Sequence, residues 1–234
     1  MDTVAIYGSR CHNGDIGGLG RFLRLLEERM SHVFIHSNLA ETLAGLGVDI
    51  PDGMEVVDDF PPEARVAVSI GGDGTFLRTV QWVGAAGTPV VGVNTGHLGF
   101  LSTFSLAETD RLVEMLLDGS GRVETRMMLR VEGCDIPTWP FAVNDVAVVK
   151  SMSTNMVTAR TFVDGNFIAD YMGDGTVVAT ATGSTAYSLS VGGPILEPTM
   201  QSMVISPVAP HSLTMRPLVL GGSSRVEMQI FCRA

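Results

Sequence analysis

Lysine is almost missing from this chain: Lys150 is the only one in 234 residues. A phosphate loop of the Gly-x-x-x-x-Gly-Lys type needs a Gly-Lys pair, and there is none. The His-Arg-Asp signature of protein kinases is absent too. Any phosphate chemistry here must draw on arginine, backbone amides and a divalent cation. Positive charge is scarce altogether. Fifteen Lys and Arg face 25 Asp and Glu, for a net charge of −10 with no basic run, which argues against nucleic acid and acidic membrane surfaces as partners. Cysteine is limited to Cys11, Cys134 and Cys232, odd in number and in no metal-ligand spacing, so they read as reduced thiols. The histidines (His12, His32, His36, His97 and His211) form no H-E-x-x-H pattern and are not expected to ligate a metal. No run of 18 apolar residues occurs, nor a basic start leading into an apolar stretch, so a soluble, cytoplasmic protein is expected. The glycine-rich stretch from Gly8 to Gly20, with Arg10 and His12, has no G-x-G-x-x-G register and reads as a mobile connection.

What is present describes an ordinary folded protein, with 45% apolar and 17% charged residues. A chain of this length buries roughly 70–75% of its unfolded surface, as one large or two small domains. Residues 3–7 read as a first strand, and Leu19, Phe22, Leu23, Leu26 and Met30 mark an amphipathic helix. A strand over His32 to His36 and a helix through Leu39, Leu43 and Leu46 follow. No acidic residue stands just after that strand to hold a ribose hydroxyl, which argues against a dehydrogenase fingerprint. The acidic, proline-containing stretch from Pro51 to Pro62 reads as a surface connection.

The most informative stretch is Gly71-Gly72-Asp73-Gly74-Thr75-Phe76-Leu77-Arg78. Before it, Arg65 to Ile70 has the length and β-branched content of a buried strand. After it, Phe76, Leu77, Val80 and Val83 recur at helical spacing, with Thr75 placed as N-cap. A strand, a glycine turn and a helix start make an anion site: glycine lets the backbone approach phosphate, and the helix offers unpaired N–H groups. Asp73 is the odd member, because a carboxylate there repels phosphate unless a metal or a proton transfer needs it. An Asp-Gly turn before a helix is the plainer alternative. Pro89 to Val93 is another buried strand, leading straight into Asn94-Thr95-Gly96-His97-Leu98-Gly99-Phe100. Alternating strands and helices predict an open, mostly parallel, Rossmann-like α/β sheet with ligands at the carboxyl ends of its strands, where both motifs fall.

Beyond a helix over Leu106 to Leu117 the pattern changes. Short apolar runs between turn residues (123–131, 141–149, 156–163, 176–180, 203–206 and 225–231) predict a β-rich, β-sandwich-like second domain. The boundary is set at 105/106, giving domains 1–105 and 106–234. Asp164-Gly165 signals a hairpin. Asn144-Asp145 interrupts an apolar strand pattern where two adjacent polar residues cannot both face a core; they form either a bulge or turn, or a pair leaving the sheet to hold a ligand. Gly173-Asp174-Gly175 and Thr182-Gly183-Ser184-Thr185-Ala186-Tyr187-Ser188 form a hydroxyl-rich loop in which Tyr187 adds an aromatic face.

GGDGT after a buried strand resembles the phosphate-donor loop shared by NAD kinases, diacylglycerol kinases and phosphofructokinases. NTGHLGFL (94–101), Asn144-Asp145, GDGTVVATATGSTAYSLSVGGPI (173–195) and PHSLTMRPL (210–218) narrow the resemblance to the NAD kinase family over residues 60 to 225. That resemblance implies transfer of the ATP γ-phosphoryl group to the adenosine ribose 2′-hydroxyl of NAD, bound in the cleft between the domains. Gly71, Gly72, Gly74, Thr75 and Arg78 would hold ATP with Mg²⁺ or another divalent cation, and Asp73 would be the catalytic base. Asn94, Phe100, Asn144, Asp145, Asp174, Thr182, Thr185, Ala186, Tyr187 and Ser190 would hold NAD. Some such contacts cross subunits in the family, so a homo-oligomer is implied. A lipid or sugar kinase sharing only GGDGT, or a catalytically impaired dinucleotide-binding form, are the competing readings. Two features depart from the family. Ala181 stands where proline is usual, which leaves the loop freer by ~0.4–1 kcal/mol if its φ suits proline. The sequence also stops at Ala234, where family members continue for several strands, so an unpaired edge is expected near Arg225 to Phe231.

Overall fold

A six-stranded parallel sheet organises the N-terminal unit of the computed structural model, which describes residues 3–8, 16–96, 99–133, 139–151 and 156–232. Arg10, His12, His97, Cys11 and Cys134 lie outside the described residues. The strands are β1 (Thr3–Gly8), β2 (His32–His36), β3 (Met54–Val57), β4 (Val66–Ile70), β5 (Val90–Asn94) and β6 (Phe104–Ser105), in the order β3-β2-β1-β4-β5-β6. All five residues of β4 are buried, which is why it reads as an apolar run broken only by Ser69.

Four helices belong to this unit: α1 (Ile16–Arg29), α2 (Ser37–Gly45), α3 (Asp73–Val83) and α4 (Thr109–Asp118). Leu19, Phe22, Leu23 and Leu26 of α1 fall at helical spacing and are essentially inaccessible. They share one core with Val4, Ile6, Val33, Ile35, Val68 and Ile70 of the sheet and Leu112, Val113 and Leu116 of α4. Successive strand residues point to opposite faces, so Ala5 and Phe34 turn the other way and pack with Ala64, Phe60 and Trp82 of α3. Strand order reverses between β1 and β4, whose carboxyl ends are adjacent, Gly8 standing opposite Ile70. A ligand crevice is expected at such a switch point.

The chain divides into two compact units, Met1–Val123 and Glu124–Ala234. The division falls later than residue 105 because α4 contributes Leu112, Val113 and Leu116 to the N-terminal core. Two local expectations are also corrected. The acidic stretch read as a connection contains β3, which adds to the sheet edge by parallel pairing with β2 and buries only Met54. Helix α3 starts at Asp73 with Gly72 as N-cap, rather than after Thr75.

The second unit holds β7 (Leu129–Arg130), β8 (Phe141–Ala142), β9 (Asp145–Val149), β10 (Val157–Val163), β11 (Asn166–Gly173), β12 (Gly175–Thr180), the one-turn helix α5 (Tyr187–Ser190), β13 (Ser202–Val208), β14 (Leu218–Gly221) and β15 (Val226–Cys232). They form a three-stranded sheet β11-β10-β15, a four-stranded sheet β14-β13-β12-β9 and the pair β7-β8. Ala159, Val163 and Tyr171 of the first sheet share a core with Ile205, Val178 and Leu220 of the second, so the two stack as a sandwich. Asp164 and Gly165 turn the β10–β11 hairpin with φ of 51° and 81°, the all-positive signature of a type I′ turn. β15 pairs with β10 alone and edges its sheet, with Ile230 and Phe231 half exposed.

Candidate active site

Gly71 leaves β4 with φ of 144°, its amide bonded to Val93 O at 2.9 Å. A Cβ here would press on the Thr75 hydroxyl at 2.6 Å, so only glycine fits. Gly72 then caps α3 without any side-chain hydrogen bond. Thr75 and Phe76 donate to Gly72 O, while the Asp73 and Gly74 amides have no carbonyl one turn earlier. Gly72 and Gly74 are exposed. The result is an open helix N-terminus that carries partial positive charge and presents N–H donors to solvent. Arg78 is exposed on α3 one turn beyond Gly74.

Asp73, in that first turn, is tied down by the loop that follows β5. Its Oδ2 accepts from Phe100 N at 2.8 Å, and its Oδ1 from Leu101 N at 3.0 Å and Ser102 N at 3.3 Å. The buried Ser102 hydroxyl donates to Gly71 O at 3.3 Å. A Cβ on Gly99 would collide with the carboxylate, and one on Gly92 would meet Ser102. GGDGT and NTGHLGF, read separately in the sequence, are thus joined by a carboxylate-to-amide latch. Asn94 is buried at the end of β5, and its Oδ1 accepts from Gly96 N at 2.7 Å. Phe100 is 75% exposed, leaving its ring available to a ligand.

In the second unit, Asn144 and Asp145 stand where β9 begins, beside the loop that follows β12. Thr180 N donates to Asn144 O, and the Thr180 hydroxyl to Val143 O at 2.6 Å. Gly183 N in turn donates to the Thr180 hydroxyl at 2.9 Å. Gly183 lies so close to the Asn144 backbone that no side chain fits. The half-buried Asp145 carboxyl is pushed above its ordinary pKa by desolvation, opposed by a hydrogen bond from the Tyr187 amide. Thr185 and Ala186 are partly exposed, and Tyr187 and Ser190 exposed, on the outer side of this turn. Thr182 and Ser184 are buried: Thr182 Oγ1 donates to Pro198 O at 3.4 Å, and the Ser184 hydroxyl to Ala181 O at 2.7 Å. Asp174 is held by Lys150, whose Nζ lies 2.7 Å from Oδ1 and whose amide donates to Asp174 O.

Within each unit the sequence-derived residues therefore gather: Gly71 to Thr75 with Asn94 and Phe100 in one, Asn144 and Asp145 with Thr182 to Tyr187 in the other. Sequence reasoning missed Gly99, Ser102, Thr180 and Gly183. The two glycines sit inside recognised motifs, and their role follows only from a close approach in three dimensions. Among the described residues, no group of three or more His, Cys, Asp or Glu is arranged to hold a metal.

Comparison with known proteins agrees with this geometry. Residues 21–121 match the family model described as the ATP-NAD kinase N-terminal domain, and residues 143–233 the ATP-NAD kinase C-terminal domain. An NAD kinase of Porphyromonas gingivalis is 38% identical, over 100% of this chain and 81% of its own. One from Moorella thermoacetica is 42% identical over 88% of this chain and 65% of its own. Among solved structures, yeast NADH kinase complexed with NADH superposes with a TM-score of 0.82 at 27% identity, covering 98% of this chain and 72% of that one. An NAD kinase from Archaeoglobus fulgidus in complex with ATP gives 0.72 at 26%, covering 97% and 80%. With both halves matched and the relatives covered over most of their length, the chain belongs to the NAD kinase family and is an enzyme of that family.

Proposed function

We propose that the chain transfers the γ-phosphoryl group of ATP to the 2′-hydroxyl of the adenosine ribose of NAD, forming NADP and ADP. The observation that carries this reading is the uncapped start of α3, with Gly71 at its base and a carboxylate in its first turn. The amides of Gly72, Asp73 and Gly74 take the donor phosphates together with the Thr75 hydroxyl, the Thr75 amide being bonded to Gly72 O, and Arg78 adds positive charge one turn on. Mg²⁺ enters as the ATP complex, its ligands being mainly phosphate oxygens and water. The acceptor draws on Asn94 and Phe100 of the first unit and on Asn144, Asp145, Asp174, Thr182, Thr185, Ala186, Tyr187 and Ser190 of the second. The working form is a homo-oligomer, and the location is the cytoplasm.

Asp73 serves as the base. An ionised carboxylate offers about four acceptor positions, and three are filled by the Phe100, Leu101 and Ser102 amides. The position left on Oδ2 accepts the 2′-hydroxyl proton as that oxygen bonds to the γ-phosphorus and the bond to the ADP oxygen breaks. The proton then returns to solvent. Incubation with ATP, Mg²⁺ and NAD, followed by an NADP-specific coupled assay, tests the reading. Diacylglycerol and fructose 6-phosphate serve as control acceptors. NADP formation with inert controls is expected. NAD binding by calorimetry without any NADP would overturn the catalytic reading, and phosphorylation of a control would overturn the acceptor.

A further inference from the structure

An open depression of about 370 Å³ in the N-terminal unit is lined by Tyr7, His36, Arg78, Gln81 and Trp82, a size in the range of small-molecule sites. Its walls follow from the fold. Tyr7 is the penultimate residue of β1, opposite Ser69 of β4, and His36 ends β2. Strand alternation puts Tyr7 on the same sheet face as Ala5, and His36 on the same face as Phe34. That is the face Trp82 of α3 packs against. Arg78, Gln81 and Trp82 stand at i, i+3 and i+4 of α3 and so form one stripe of the helix.

The aromatic wall is fixed in place. Trp82 Nε1 donates to Asp58 O at 2.8 Å, and its ring lies 5.6, 5.2 and 5.0 Å from those of Tyr7, His36 and Phe60. His36 Nδ1 accepts from Asn38 N at 3.0 Å, so the neutral ring carries its proton on Nε2 and is a donor there. Desolvation keeps this histidine below its ordinary pKa, against the pull of Asp58. The depression therefore offers aromatic surface, an imidazole N–H, a carboxamide and a guanidinium together. That set suits a flat heteroaromatic ring with nitrogen acceptors and an exocyclic donor, attached to something anionic.

We propose that this depression is the base subsite of the phosphoryl donor: the purine packs against the aromatic wall, Gln81 and His36 bond its ring nitrogens, and Arg78 faces the phosphate side. The inference rests on the kinase reading above. From Asp73 to Trp82 the helix rises about 13 Å, comparable to the reach of a nucleoside triphosphate from γ-phosphate to base. One face of α3 can thus serve the whole donor, phosphates at its start and base beside its second and third turns.

Two measurements test it. Gln81→Ala and Trp82→Phe are expected to raise the KM for ATP about three- to tenfold, the loss of a polar or stacking contact, with the KM for NAD unchanged in both. The melting temperature should hold in Gln81→Ala and fall in Trp82→Phe, which loses the bond to Asp58 O. In a Trp139→Phe background Trp82 is the sole tryptophan, and adenosine should quench its emission while inorganic tripolyphosphate does not. Should that background fail to fold, the difference in emission between wild type and Trp82→Phe gives the same signal. Emission unmoved by adenosine, or an unchanged ATP KM in both variants, overturns the inference. A response to NAD as large as that to ATP overturns the assignment to the donor. If wild type forms no NADP, it is the kinase reading that fails, and the adenosine titration still decides whether the depression takes a purine.

Discussion

Asp73 and Asp145 both invite substitution by asparagine, and their surroundings make the outcomes differ. Every donor on Asp73 is a backbone N–H. Asparagine would turn an NH₂ group toward one side of that set, so Asp73→Asn removes part of the latch as well as the base. We expect turnover to fall at least ~100-fold, the scale of a lost general base, with faster amide exchange at Phe100 to Ser102. Gly99→Ala separates the two effects: the base remains, but the new methyl lands on the carboxylate. The latch should weaken by ~1–3 kcal/mol, the usual cost of disrupting bonds to a charged group, and NAD affinity should fall more than kcat. If Gly99→Ala lowers kcat as far as Asp73→Asn does, Asp73 acts through loop position and not as a base. Asp145 is the opposite case. Burial raises its folded-state pKa, so its contribution to stability is present below the unfolded pKa and is lost as pH rises through the folded one. Once ionised, the carboxylate sets the cost of desolvation against the hydrogen bond from the Tyr187 amide. Asp145→Asn can still accept from the Tyr187 amide, so the melting temperature should hold or rise at pH 7 while NAD binding weakens by ~1.5–3 kcal/mol. A variant that melts earlier and binds NAD normally would mark the position as a structural turn. That both carboxylates stand out of place, one in a phosphate-type turn and one in an apolar strand pattern, was readable from the sequence. Their partners were not, because backbone amides belong to every residue and leave no trace in composition.

At the scale of elements, legibility followed burial. β4, buried throughout, and α1, with its apolar stripe, were plain in the sequence because hydrophobic period and burial coincide there. β3 was hidden because a sheet-edge strand buries one residue in four and its acidic neighbours read as loop. β14 was missed for a similar reason, alternating partly buried and exposed residues over only four positions. The start of α3 was misplaced by three residues because Thr75 has the chemistry of an N-cap, while the cap actually used is Gly72. An anion site wants that arrangement, since a hydroxyl on the first amides would occupy the donors a phosphate needs. The loop after β12 supports a separate expectation. Ala181 has φ of −58° and follows the extended strand β12, a geometry that proline accepts in both residues. Ala181→Pro should therefore stabilise the chain by ~0.4–1 kcal/mol through the unfolded state, read as a higher urea midpoint at unchanged slope. A lower midpoint would show that the buried surroundings of Ala181, among Val177, Leu196 and Val204, leave no room for the ring.

The molecule as a whole carries a net charge of −10 and is proposed to bind two anionic nucleotides, so its long-range field opposes both. Attraction must come from short-range groups: the first amides of α3, Arg78, and the Mg²⁺ that travels with ATP. These two kinds of interaction respond differently to salt. The screening length is about 10 Å at 0.1 M and shorter above it. Repulsion from carboxylates scattered over the surface is therefore largely removed by salt, whereas contacts within hydrogen-bonding distance are little affected. A protein that steers its substrates with a basic surface binds them more weakly as salt rises. Here the sign should reverse or vanish. With free Mg²⁺ held constant, the KM for ATP is expected to stay flat or fall between 50 and 200 mM NaCl, and kcat to remain unchanged because the reacting groups lie inside the screening length. The measurement is a KM series at fixed Mg²⁺ activity, with a neutral osmolyte as control for water activity. A KM that climbs steeply with salt would mean that a cationic field gathers the nucleotide, and the open helix start could not then be the main source of its affinity.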